Sequence, residues 1–307
     1  MVNLVAAQRP LLHGLMKMAG VRPYTVEIEP GTVMSFWVPS ETLTKPKKKK
    51  REAQNQLEAQ QARGGSGARL WRRGNHDMAV SIYVPDLLFF GGSTTDKPHR
   101  SPAFQAQCVV AGLRKLGVEK CIVVGYSYGG MVAFKMAEMY PEVVEALVIT
   151  GSILAMTDSI SATSLQELGF SSSSELLLPT SVKGLKALLT VASHKKQWYP
   201  NRLLKDYLEV MITNRKERGE LLEALVVSDK DIIIPNFSQR IHLLWGENDK
   251  IFNLELAQNM KEQLGDGTTF EAIKKAGHMV NMERPRLFNR CLKQFIASFL
   301  APNGPKK

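Results

Sequence analysis

The chain of 307 residues is long enough for one large α/β domain or two smaller ones, and its 44% hydrophobic and 22% charged content is that of an ordinary soluble globular protein. Its formal charge of +11 is local: Lys45 to Arg73 holds ten basic and two acidic residues, which leaves about +3 for the rest. That distribution speaks against a nucleic-acid-binding surface over the whole protein. Cys108, Cys121 and Cys291, odd in number and set in apolar segments, exclude a disulfide framework or a metal cluster and read as reduced core residues of an intracellular protein. No apolar run reaches membrane-spanning length.

Met1 to Val21 is apolar and acid-free, with Arg9, His13 and Lys17 spaced among Leu4, Leu11, Leu12, Leu15 and Met16. The spacing predicts an amphipathic helix packed on the domain, with an interfacial membrane anchor or a weak transit peptide as the other readings of residues 1–21. Thr25–Ile28 and Val33–Val38, separated by Pro30-Gly31, predict an antiparallel hairpin. Residues 41–78 then form a basic low-complexity insert. Pro46–Arg51 is a basic run, Glu52–Arg63 has helix formers without an apolar face, and Gly64–Gly67 is a joint. The basic run reads first as a solvated linker and second as a nuclear-localisation or polyanion-binding segment.

Ala79–Pro85 predicts the next strand, and Phe104–Leu116 a helix. Cys121–Val124 reads as a buried parallel strand, Met131–Tyr140 as a helix, and Glu145–Thr150 as another strand, giving βαβ units over 79–152. From 153 to 239 the strand rhythm stops. Helical stretches Ser161–Leu168, Val182–Ala192 and Arg202–Leu225 fill the gap, with a polar loop at Ser171–Ser174. Alternation returns over 240–301 with Ile241–Trp245, Leu254–Leu264, Thr268–Ile273 and Pro285–Leu300. A helical insertion in such a sheet reads as a cap over the strand ends, where α/β sheets place ligands.

Gly125-Tyr126-Ser127-Tyr128-Gly129 joins the buried strand to its helix. A turn this tight holds its central residue in a strained conformation and closes only over small neighbours, here assigned to Gly125 and Gly129, with Gly130 aiding helix packing. Ser127 then stands clear of the sheet at a helix N-terminus. Serine needs a base oriented by an acid. Asp249 follows the strand ending at Trp245, and His278 follows the next strand, both on the edge that carries Ser127. Glu247 competes with Asp249, which could instead cap the following helix. The remaining histidines, His13, His76, His99, His194 and His242, have no evident partner. No metal-ligand cluster or Gly-rich phosphate loop is visible, so no cofactor is expected.

With these residues in place the chain resembles α/β-hydrolases, in particular plant members related to monoacylglycerol lipases and C–C-bond hydrolases. The similarity rests on Val84-Pro85-Asp86-Leu87 with Gly91–Ser93, Val124–Gly130, Trp245–Asp249, and Gly277-His278-Met279 with Glu283-Arg284-Pro285, and covers about 21–40 and 79–300. It implies the α/β-hydrolase fold, a mostly parallel sheet flanked by helices under a helical cap. It also implies Ser127 as nucleophile, His278 as general base, Asp249 as its orienter, and the Tyr128 N–H as one oxyanion donor. Epoxide hydrolases share the fold but use aspartate where this chain has Ser127, which speaks against that branch.

One part of the pattern is missing or replaced. Relatives carry a third strand ending in His-Gly between the hairpin and Val84-Pro85, and its loop supplies a second oxyanion N–H. The insert stands there instead. Ala68–Arg73 is too charged for a central strand and leaves too few residues for a parallel crossover. His13-Gly14 has the wrong chain order and is a decoy. The chain is thus either a variant transcript or gene model of an active hydrolase, or a folded protein that has given up efficient catalysis. The expected function is a serine hydrolase for a carboxylic ester of a small or apolar substrate, with Phe89, Phe90, Tyr126 and Met131 lining the pocket. The alternatives are a hydrolase-like binder of a small ligand with little turnover, or a C–C-bond hydrolase using the same triad. A cytoplasmic location is expected, with nuclear or peripheral membrane placement as alternatives.

Overall fold

The computed structural model describes residues 3–44 and 80–301. Readings that fall on 45–79, including the basic run, the helix-forming stretch, Ala68–Arg73 and His76, lie outside the described residues. The strands are β1 (Val21–Glu29), β2 (Thr32–Pro39), β3 (Val84–Pro85), β4 (Thr94–Thr95), β5 (Cys121–Tyr126), β6 (Val144–Thr150), β7 (Met156–Thr157), β8 (Val226–Val227), β9 (Arg240–Gly246) and β10 (Thr268–Ile273). The hairpin forms as expected: β1 and β2 are antiparallel from Val21 opposite Pro39 to Glu29 opposite Thr32, and Gly31 turns the chain at φ +82°.

Two main sheets result. In one, β1, β2 and β3 lie side by side and β4 also pairs with β2; in the other, β10, β9, β6 and β5 are all parallel. The strand expected over Ala79–Pro85 shrinks to Val84–Pro85, because only Phe36 and Trp37 of β2 offer it a partner. Val80 and Ile82, which carry its apolar alternation, face solvent. β5 is the outermost strand of its sheet among the described residues, and Val124 on it is 47% exposed although β6 beside it is almost wholly buried. The resemblance calls for a third strand between the hairpin and Val84-Pro85. In chain order that strand would fall within 45–79.

Helices hold the sheets together. Pro102–Lys115 packs on β1 and β2, and also on Tyr128–Met139, which covers β5 and β6. Phe36 sits so close to this first helix that a Cβ on Gly112 would come within 2.6 Å of its ring. One apolar cluster therefore runs from Met34, Phe36 and Val38 through Val109 and Leu113 to Val132, Leu147 and Leu243. The other face of the parallel sheet is covered by Pro285–Leu300, through Ala146, Val148, Leu244, Phe288 and Phe295. Alternation along β6 and β9 assigns successive residues to these two faces, as the pleat requires. His242 lies on the second face, where its Nδ1 meets Thr269 Oγ1 at 2.8 Å and its ring stacks on Phe295, so it does have partners. Burial lowers its pKa, opposed by the nearby Glu271 charge.

The cap between β6 and β9 is helical, but β7 and β8 pair in parallel at its base, a strand contact that its sequence did not announce. Val182–Ala192 has the bounds read for it, whereas the helix read from Ser161 starts at Asp158; the Thr157, Ser172 and Ser181 side chains accept the N–H of Ile160, Glu175 and Gly184. The polar loop at Ser171–Ser174 is in fact the cap of the short helix Ser173–Leu177. The single helix expected over Arg202–Leu225 is two, Asn201–Met211 and Arg215–Glu223, parted at Asn214 in the left-handed region at φ +49°. Asn214 Nδ2 donates to Phe89 O at 3.0 Å, and Arg100 pairs with Glu220 at 2.7 Å, so the break also ties the cap to the core.

If one core joins both sheets, truncating its shared ring must weaken both. Phe36→Ala is expected to lose about 3–5 kcal/mol of stability while urea unfolding, followed by far-UV dichroism and tryptophan emission, stays a single coincident transition. Two separated transitions would show independent halves.

Candidate active site

The parallel strand β5 ends at Tyr126, and helix Tyr128–Met139 begins two residues later. Ser127 between them has φ 52° and ψ −125°, a left-handed conformation that costs a non-glycine residue of order 1–3 kcal/mol. The turn is held by Ser127 N donating to Thr150 O at 2.9 Å and Gly130 N donating to Ser127 O at 2.8 Å. A Cβ on Gly125 would lie 2.6 Å from Gly130 Cα, and one on Gly130 would lie 2.4 Å from Ser152 Cβ. These two glycines are sterically required. Gly129 is not, since a Cβ there meets nothing within 4 Å, which corrects the reading that paired it with Gly125.

β9 delivers Asp249 and β10 delivers His278 to the same edge. Asp249 Oδ1 accepts the N–H of Ile251 at 2.8 Å and of Phe252 at 3.0 Å, while Oδ2 faces His278 Nδ1 at 2.8 Å. A carboxylate only accepts, so Nδ1 carries the proton and Nε2 presents its lone pair. Nε2 stands 3.1 Å from Ser127 Oγ. Asp249 and His278 are both buried, whereas Glu247 is exposed and off this line. Gly151, at φ +51°, makes room for the pair: a Cβ there would come within 2.9 Å of the imidazole. The rings of Tyr126 and Phe252 flank the imidazole at 5.2 and 5.9 Å. Trp245 Nε1 donates to Phe252 O at 2.9 Å and steadies the Asp249 turn.

Tyr128 is the first residue of its helix, so its N–H precedes the intrahelical ladder and is aligned with the positive end of the helix dipole. Burial pushes the phenols of Tyr126 and Tyr128 well above the ordinary tyrosine range, for Tyr126 with help from the charges of Asp249 and Glu283. Both rings stay neutral near neutral pH. The four residues expected to line a pocket separate into two groups. Tyr126 lies against His278, and Phe90 stacks on Tyr128 at 6.3 Å and has the Arg218 guanidinium 4.4 Å from the centre of its ring. Phe89 and Met131 are instead buried in the main core, because Phe89 turns inward at φ +71° and Met131 lies on the sheet-facing side of its helix. Two surface grooves, one on Pro285–Leu300 and one between Asp158–Leu168 and Leu254–Leu264, contain none of Ser127, Asp249 or His278. His13, the decoy histidine, packs edge-on against Trp37. Among the described residues no group of three or more His, Cys, Asp or Glu side chains could hold a metal ion.

Sequence reasoning used Glu283 only as part of a motif. In the structure its carboxylate accepts Gly277 N at 2.6 Å, His194 N at 3.0 Å and Lys195 N at 3.1 Å, and Met279 N donates to Ala192 O at 3.1 Å. One carboxylate thus locks the loop carrying His278 to the end of cap helix Val182–Ala192. Its partners are nearly ninety residues apart, and no local signal marks such a contact. Glu283→Ala leaves three backbone donors without this acceptor. Amide exchange at Gly277, His194 and Lys195 is expected to accelerate at least about tenfold, while Glu283→Gln, which keeps an acceptor, recovers part of the protection. Unchanged exchange would mean that other groups hold the loop.

Residues 64–178 match the family described as "alpha/beta hydrolase fold". Among curated proteins the chain is 25% identical over 236 residues to epoxide hydrolase 3 of Xenopus tropicalis, covering 69% of this chain and 62% of that protein. It is 27% identical over 201 residues to monoacylglycerol lipase ABHD6 of Bos taurus, covering 63% of this chain and 59% of that one. The chain therefore matches about three fifths of the length of these relatives. Among solved structures, a bacterial membrane phospholipase A superposes with a TM-score of 0.70 at 17% identity, over 97% of this chain and 92% of that one. The chain has the α/β-hydrolase fold.

Proposed function

We propose that this protein is a serine hydrolase cleaving a carboxylic ester with a small or apolar acyl group. The reading rests on one observation: the continuous line from Asp249 through His278 to Ser127 Oγ, at 2.8 and 3.1 Å, with Ser127 on a strained turn at a helix N-terminus. Ser127 Oγ attacks the ester carbonyl as Nε2 of His278 takes its proton. Asp249 fixes the tautomer and stabilises the imidazolium that forms. The oxyanion is met by the Tyr128 N–H. His278 then protonates the departing alcohol, and water, activated by the same imidazole, releases the acid from Ser127. Tyr126 and Phe90 provide apolar walls, which favours a hydrophobic acyl group.

The nucleophile argues against epoxide opening, despite the relative of that name. A serine oxygen attacking an epoxide would leave an alkyl ether, which water does not cleave, whereas a carboxylate would leave a hydrolysable ester. C–C-bond cleavage with the same three residues is the variant that the sequence resemblance keeps open, and the plant branch is our placement on the quoted motifs alone. The second oxyanion donor of the resemblance belongs to the third strand, and losing such a donor typically costs about 10²–10³ in kcat. Slow turnover is therefore part of the reading, and ligand binding with little turnover is the second reading.

With p-nitrophenyl butyrate as substrate, Ser127→Ala and His278→Ala are each expected to lower kcat/KM by at least about 10³. Asp249→Asn should cost somewhat less, and variants that remain folded by circular dichroism make the comparison fair. Equal hydrolysis by wild type and Ser127→Ala would move the case to the binding reading.

A further inference from the structure

The N-terminal segment folds as two helices, Leu4–Ala7 and Arg9–Met18, and neither contains a buried residue. This reverses the expectation that the amphipathic helix packs its apolar face on the domain. At about 100° per residue, His13 points one way and Leu11, Leu12, Leu15 and Met18 share an arc of about 120° on the other side. The structure shows which side faces in. His13, though itself largely exposed, packs edge-on against Trp37 of β2 with ring centroids 5.0 Å apart, and the half-buried residues of the helix, Gly14 and Met16, flank it. The apolar arc points outward, with Leu11 65%, Leu12 54%, Leu15 48% and Met18 77% exposed. A helix that only served the fold would lie the other way up.

The charges around the arc select its partner. Residues 1–26 contain no Asp or Glu, and hold Arg9, Lys17 and Arg22. On the helical projection Arg9, His13 and Lys17 share one stripe opposite the arc, Arg9 about 60° beyond Leu12 and Lys17 about 100° beyond Met18. An apolar face turned outward, with cations on the polar face and no acid in the segment, is the pattern of an interfacial helix. Its long basic side chains reach toward lipid phosphates while the apolar arc enters the acyl boundary. Ten residues are too few to span a bilayer, and no described helix is long and apolar enough to do so. The segment is also fastened in place: Leu4 N donates to Asp206 Oδ2 at 2.7 Å and Asn3 Nδ2 to Asp206 O at 3.2 Å, on cap helix Asn201–Met211. The arc is therefore presented by a positioned element beside the cap.

We propose that helix Arg9–Met18 docks the protein reversibly on an anionic phospholipid surface through Leu11, Leu12, Leu15 and Met18, with Arg9 and Lys17 on its polar face supplying the attraction to the headgroups. The inference stands apart from the hydrolase reading, since it uses none of the residues of that site. It is tested by flotation of the full chain with vesicles of phosphatidylcholine alone, or with about a quarter phosphatidylglycerol, at low and high salt. Wild type is expected to bind the anionic vesicles at least about tenfold better than the neutral ones and to lose that preference in high salt. Leu11→Ser/Leu15→Ser/Met18→Ser should lower binding to the anionic vesicles at least about tenfold, and Arg9→Gln/Lys17→Gln should remove mainly the preference for anionic lipid. The substituted side chains are exposed, so circular dichroism should be unchanged. Should the triple variant misfold, Met18→Trp replaces it, with a blue shift of the added emission on anionic vesicles as the expected sign. Absence of wild-type flotation, equal binding by wild type and a folded triple variant, or no shift of the added tryptophan overturns the proposal. So does self-association that the triple variant abolishes without vesicle binding, which would make the arc an interface between copies.

Discussion

The conformation of one residue sets the geometry of the whole site. Ser127 is held in the left-handed region between β5 and its helix because Gly125 and Gly130 let the two backbones close to a distance that no side chain allows. The hydrogen bond from Ser127 N to Thr150 O then fixes the height of the hydroxyl relative to β6, and Gly151, the next residue, opens the space in which the His278–Asp249 pair sits. Strain at Ser127, of order 1–3 kcal/mol, persists only where surrounding packing over-determines it. The buried strands β6 and β9 and the helix on β5 supply that packing.

Ser127 follows β5, which is the outermost strand of the parallel sheet among the described residues. Edges of this kind are normally paired or covered, and Val124 on this one is exposed. The site is nevertheless assembled, because Ser127, Asp249 and His278 are delivered by β5, β9 and β10 of the parallel sheet, and the cap is tied down by Arg100–Glu220 and by Glu283.

Much of this was legible in the residues. Leu254–Leu264, Thr268–Ile273 and Pro285–Leu300 were read with their observed bounds, because an asparagine or proline start, a glycine stop and a clear period coincide there. Ser127, Asp249 and His278 could be singled out because each sits directly after a strand. The misses share a different physical cause, dependence on distant partners. Ala79–Pro85 alternates like a strand, yet it is one only where β2 pairs with it. Amphipathicity of Arg9–Met18 was evident, but which side meets the domain is decided by Trp37, a residue outside the helix. Glu283 has no local signature for holding His194 and Lys195. The helix break at Asn214 did carry a signal, since asparagine tolerates left-handed backbone, and it was outweighed by the apolar period around it.

The measurement that bears most directly on the central claim is labelling of the native protein with a fluorophosphonate, followed by mass-spectrometric mapping of the modified residue. Such a reagent reacts with a serine only when a base and an oxyanion site activate it, and it needs no knowledge of the substrate. The account predicts modification at Ser127 alone, lost in His278→Ala and slowed in Asp249→Asn. A folded protein that takes up no label, or takes it up at another serine, would contradict the reading of Ser127, His278 and Asp249 as a working catalytic unit.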